Sequence, residues 1–218
     1  MYVLTINQRD SREVGDLVDD LLRSLRPVGT VVPFQRSVGD EAIGIVPDAR
    51  SAVDAVLRAL RERRWNVGVG VGSVGSAIAG NAAPLPDTQS IHDVGGPGLV
   101  YARRAVEEAA KSGVRVPVAV DGPDAEAAIQ AEAVLRLIGQ LVLTRTNAEW
   151  AVLDLMVPGV RGQQKLVAAE LGMTVQAVSK AVQRSFWNEE HACRPAAERL
   201  LTLVDAADVE PAGELVQE

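Results

Sequence analysis

The chain has 218 residues, a formal net charge of −7, 47% hydrophobic content and only 3% aromatic content. Such a composition is globular, with cores of Val, Leu, Ile and Ala, and it excludes an aromatic stacking platform for single-stranded nucleic acid. A single cysteine, Cys193, and two distant histidines, His92 and His191, exclude an internal disulfide and a metal cluster built on those residue types.

The opening residues, MYVLTINQRDSR, lack the charged-then-apolar pattern of a secretory signal. No apolar run approaches the roughly 18 residues that span a bilayer, so a cytoplasmic protein is expected. Residues 2–7, YVLTIN, predict a buried strand. Residues 12–26 predict a helix with Val14, Leu17, Val18, Leu21, Leu22 and Leu25 on one face, ended by Pro27 and Gly29. Two short strands follow at 30–37 and 41–46, joined by the hairpin punctuation Val38-Gly39-Asp40, with Pro33 marking a bulge or an edge. Asp48 or Ser51 starts a helix whose apolar face is Val53, Val56, Leu57 and Leu60. The strand at 66–74, NVGVGVGSV, alternates Gly and Val, so one face is nearly bare backbone, open to close approach by a packed helix or a ligand. Residues 75–98, rich in Gly, Ala and Pro, read as a long loop leading to a helix at 98–113 and a strand at 114–122.

The order βαββαβ, then helix and strand, predicts a ferredoxin-like α/β sandwich over residues 1–121. After it no strand pattern appears, and residues 122–207 predict an all-α domain. A long helix at 124–143 serves there as connector and dimerisation helix. Asn147 caps a helix at 148–156, Pro158-Gly159 breaks it, and Pro195 opens a last helix at 196–207. Residues 208–218 make an acidic tail expected to be disordered.

Residues 163–185, QQKLVAAELGMTVQAVSKAVQRS, predict a helix-turn-helix. Leu166, Val167 and Leu171 share a face of the first helix, Gly172 supplies a positive φ at the turn, and Thr174 caps the second. Ala168 is small where the helices cross, and Val178, Met173 and Val182 complete the apolar seam. That orientation turns Gln176, Ser179, Lys180, Gln183 and Arg184 outward, with Thr174 at the start, a set suited to base edges and phosphates of duplex DNA. The same pattern also fits two short helices of an ordinary bundle. Between residues 145 and 199 stand seven basic and six acidic residues, so one copy should bind DNA weakly, and a homodimer is expected to double the contacts.

Ser11-Arg12 after the first strand, Gly39-Asp40-Glu41 on the hairpin, the 68–72 Gly-Val run, GPGLVYARRAVEEAAKSG and a C-terminal helix-turn-helix together resemble the bacterial SatD family. The sandwich is in turn similar to the core of class III nucleotide cyclases and diguanylate cyclases. That resemblance implies a nucleotide held with divalent metal, one acidic ligand coming from the first strand and one from the hairpin. Asp40 matches the hairpin ligand and has Glu41 as its neighbour, whereas Asn7 stands where the first-strand aspartate belongs. Arg9 and Arg12, beside the turn, read either as phosphate-recognising residues or as solvated surface. The expectation is a dimeric DNA-binding transcriptional regulator with a cyclase-like dimerisation or sensing domain. The alternative is a metal-dependent nucleotide cyclase or nucleotide hydrolase with an added helical domain.

Overall fold

A computed structural model, which describes residues 1–77 and 90–206, shows a mixed α/β protein. The expected acidic tail at 208–218 and part of the expected loop at 75–98 lie outside the described residues. Strand β1 (Tyr2–Gln8) is followed by α1 (Ser11–Val14), α2 (Val18–Leu25), the hairpin of β2 (Val32–Arg36) and β3 (Glu41–Val46), α3 (Ala49–Arg61) and β4 (Trp65–Val71). A small ribbon of β5 (Gly75–Ser76) and β6 (Val94–Gly95) precedes α4 (Pro97–Ala109) and β7 (Val118–Asp121). The described chain ends in α5 (Ala125–Thr144), α6 (Asn147–Leu153), α7 (Gln164–Glu170), α8 (Val175–Arg184) and α9 (Trp187–Ala206).

The five-stranded sheet has the order β2-β3-β1-β4-β7. Its pairs are antiparallel except for β4 with β7, which run parallel across the α4 crossover. Successive side chains point to opposite faces of a strand, and the central β1 divides accordingly. Tyr2, Leu4 and Ile6 join Val67, Val69 and Val71 of β4 in the main core, under α2, α3, α5 and α9. Val3 faces the other way, into a second cluster with Ile43, Ile45 and Ala102 of α4. The bare backbone of β4 is filled by a helix: a Cβ at Gly68 would lie 2.2 Å from Val106 N, and one at Gly70 2.2 Å from Ala102 N. Helix α4 meets this surface with its own small residues, Gly98, Ala102, Ala105 and Ala109, all buried. Such close contact leaves no room for even one methyl group.

Several expected boundaries shift for local reasons. The helix expected at 12–26 breaks at Gly15, whose φ is +81°. Buried Gln8 holds the break, its Nε2 donating to Gly15 O and its Oε1 accepting from Leu17 N at 2.8 Å. Asp48 caps α3 by accepting from Ser51 N, so both residues proposed for that start take part. Thr146, rather than Asn147, caps α6 and forms a reciprocal capping box with Glu149. Pro195 does not open the last helix but lies within α9, at the cost of one backbone hydrogen bond.

The helices after Asp121 return to the sheet. Ala127, Ala128, Ala131, Leu135, Ile138 and Val142 of α5, and Ala197, Leu201 and Val204 of α9, belong to the main core. A chain divided at residue 121 is therefore divided through one core. By length and composition α5 is long and apolar enough to cross a membrane, which the sequence reading had excluded, but its inner flank is spent on this packing. The satellite core is smaller: Val152 and Leu153 of α6, Val167 and Ala168 of α7, Val178 and Val182 of α8, and Trp187 at the start of α9.

A buried charge cluster ties the two cores together. Arg145, between α5 and α6, is 2% exposed and meets the fully buried Glu190 of α9 at 3.3 Å. Its Nε donates to Ser185 O, which closes the end of α8. Burial raises the Glu190 carboxyl, but hydrogen bonds from His191 and Arg194, reinforced by the Arg194 charge, outweigh it and hold the group at about 2.

Candidate nucleic-acid interface and the hairpin site

Helices α7 and α8 meet through the pattern of their small and β-branched residues. Gly172 has φ +62°, Met173 N donates to Ala168 O at 2.9 Å, and the Thr174 hydroxyl accepts from Ala177 N at 3.1 Å. The backbone groups at the turn are thereby satisfied without a longer linker. Val178 and Val182 turn inward, four residues apart on one face of α8. Two seam residues do not join them: Leu166 is 75% exposed and Met173 38% exposed. The buried stripe of α7 runs Val167, Ala168, Leu171, and Leu166 lies one step, or about 100°, off it.

On the outer side, Thr174, Gln176, Lys180, Gln183 and Arg184 are exposed and Ser179 is half-buried. Arg161 lies on the approach to α7 and Lys165 in its first turn. From residue 157 to 188 these give four cations, Arg161, Lys165, Lys180 and Arg184, against one acid, Glu170. Among the described residues none of the four makes an ion pair or a side-chain hydrogen bond. In the sheet half Arg58, Arg104 and Arg136 pair with Asp54, Asp121 and Glu132, although Arg9, Arg12 and Arg50 there make no ion pair among the described residues. An acidic chain thus carries one helix face whose positive field is not cancelled locally.

On the sheet, the strand register brings three of the residues implied by the cyclase resemblance together at the end of the central strand β1. Asn7 lies directly across from Glu41 on β3 and from Asn66 on β4. Asn66 Nδ2 donates to Asn7 Oδ1 at 2.8 Å. Asp40 precedes Glu41 at the hairpin, and its carbonyl accepts from Gln8 N. Burial pushes the Glu41 carboxyl up, partly offset by the charge of Arg103 and a hydrogen bond from Ser37. Arg9 and Arg12 are exposed on the turn after β1, without ion pairs among the described residues. Asn66 and Arg103 escaped the sequence reading, because only the pairing of distant strands and the seating of α4 bring them here.

These donors do not suit a pair of divalent metals. The Asn7 amide oxygen is already engaged by Asn66 and carries no charge, which leaves Asp40 and Glu41 as the carboxylates of the hairpin, with Glu107 near enough to act on Glu41. Among the described residues no group of three or more His, Cys, Asp or Glu side chains is placed to hold a metal. Magnesium usually keeps carboxylate oxygens in its shell, and a two-metal clamp needs them on both ions. Comparison of the chain with family models, curated proteins and solved structures finds no match.

Proposed function

We propose that this chain is a DNA-binding transcriptional regulator of the SatD type, in which a degenerate cyclase-like sandwich serves dimerisation or ligand sensing. The observation that carries the reading is the outer face of α8, where Gln176, Lys180, Gln183 and Arg184 are exposed and both cations are free of ion pairs among the described residues. The antiparallel order β2-β3-β1-β4 supports a ferredoxin-like sandwich with β7 appended. The tight turn between α7 and α8 supports a helix-turn-helix whose second helix enters the major groove. Ile129 and Leu137, 69% and 63% exposed on the outer face of α5 with Ala133 between them, supply the surface on which a second copy would pack. A mobility shift at low salt, with duplex from the gene's own upstream region, tests the reading. Binding that Lys180→Ala and Arg184→Ala weaken is expected, and its absence sinks the proposal.

A second reading, a nucleotide cyclase or nucleotide hydrolase, is favoured by one observation, the half-buried Glu41 facing Asn7 beside the hairpin. The donor set described above argues against it, and no catalytic step follows from these residues. Incubation with ATP or GTP and Mn²⁺, followed by chromatography, decides between the two. Turnover that Asp40→Ala abolishes would make this second reading the better one.

A further inference from the structure

Between α6 and α7 the chain makes a seven-residue excursion, residues 157–163, with the sequence VPGVRGQ. Gly159 and Gly162 have φ of +77° and +78°, conformations that other residues adopt only with strain. A loop with two such glycines would be expected to sample many shapes. This one is clipped by a single side chain. Gln163 Oε1 accepts from Val157 N at 2.8 Å, and its Nε2 donates to Val157 O at 2.7 Å and to Val160 O at 3.1 Å. Gln163 is also the residue that begins α7, yet it makes no side-chain capping bond there. Its amide is committed to the loop instead.

Held at the apex of this loop is Arg161, exposed and without a partner among the described residues. An open cleft of about 750 Å³ joins the loop to the rest of the motif, lined by Arg161, Gln163 and Lys165 together with Val175 at the start of α8. Two free cations therefore line a concavity that meets α8 at its first residue, Val175, and at the inward-facing Val182, beside rather than on the face that carries Lys180 and Arg184. The neighbours of Arg161 are Val160 and Gly162, which offer no hydrogen-bonding side chain to read a base edge beside it. A single guanidinium on a stiff, otherwise apolar loop matches a phosphate oxygen, and holding the loop beforehand lowers the ordering cost of the contact.

We infer that residues 157–163 are a second DNA-contacting element, in which Arg161 takes a backbone phosphate and Gln163 is the positioning residue that holds it in place. The inference rests on the DNA-binding reading above and adds to it a contact outside the α7–α8 pair. It is tested on the full chain by titrating two duplexes of equal length, one from the gene's upstream region and one unrelated, over a range of salt.

Arg161→Ala is expected to weaken binding to both duplexes by the same factor, roughly tenfold at low salt, and to make the slope of log K on log salt shallower by about 1. Gln163→Ala is expected to weaken binding less, and to have no further effect when Arg161 is already Ala, at an unchanged salt slope for that pair. A residue that only stabilised the fold would add its cost in both backgrounds. If Lys180→Ala weakens binding while Arg161→Ala keeps wild-type affinity and slope, the loop contact is wrong and the DNA reading stands. Loss confined to one duplex would make Arg161 a base reader and overturn the phosphate assignment. If the wild-type chain binds neither duplex, both readings fall together.

Discussion

In the sheet half, Arg58, Arg104 and Arg136 each meet a carboxylate at 2.7–2.9 Å, whereas on α7 and α8 Lys165, Lys180 and Arg184 meet none among the described residues. Exposed ion pairs contribute only about 0–1 kcal/mol each, so leaving three cations unpaired costs the fold little. What differs is the field outside the protein. Beside those three pairs it is cancelled within a few ångströms, and around α8 it is available to a polyanion. The protein's overall charge of −7 conceals this division, because the sum is taken over regions whose charges are paired differently.

The comparison predicts that paired charges govern stability and unpaired ones govern binding. The largest effect is expected at the junction. Glu190→Ala leaves Arg145 buried without its partner and should destabilise the protein by about 3–5 kcal/mol in urea unfolding. The same carboxylate sets a pH dependence. Its folded-state value of about 2 lies below the ordinary 4.5, so its contribution is complete above 4.5 and is lost as pH falls from there towards 2. A Glu190→Ala protein should show a flatter acid limb over that window.

Gly70→Ala tests packing with no charge involved. Its added methyl would meet the α4 backbone rather than a flexible side chain, and a loss of about 1–3 kcal/mol or more is expected by the same measurement. Lys180→Ala with Arg184→Ala should leave the unfolding free energy within the range of a surface change, about ±0.5 kcal/mol, while DNA affinity falls. Arg104→Ala is the matched control, since its partner Asp121 lies in the sheet half, and it should not change DNA affinity. If it does, the contrast between the two regions is false. The smallest effect belongs to Asn7→Asp, which sets a second carboxylate directly opposite Glu41. It should cost about 0.2–1 kcal/mol at neutral pH, a deficit that shrinks as the pair is protonated in acid.

Local patterns were legible and distant partners were not. The apolar run in YVLTIN, the hairpin signal at Gly39-Asp40 and the Val178–Val182 spacing each depend on residues a few positions apart, and each element lies where its pattern put it. The Gly-Val run likewise announced a close approach, though not which helix would make it. The break at Gly15 was hidden because Gln8, on the preceding strand, stabilises it. The pairing of Arg145 with Glu190 joins residues 45 apart, and the Asn7–Asn66 bond joins residues 59 apart. Pro195 misled for a different reason: a packed helix tolerates one missing hydrogen bond when its flanking residues, Ala197 and Leu201, are needed in the core.

The placement of Leu201 and Val204 in the main core also bears on the order in which the protein can be made. β1 is the middle strand of the sheet and leaves the ribosome long before α9, yet the two share one core, and Met1 pairs with Asp205 at its edge. A nascent chain ending after β7 would have only α2 and α3 over the apolar side of its sheet, leaving the part that α5 and α9 cover open to water or to a chaperone. Only once α9 emerges can that surface close. Synthesis of α8 is complete by then, so the helix that carries Lys180 and Arg184 is finished before the sheet it is tied to has its full cover.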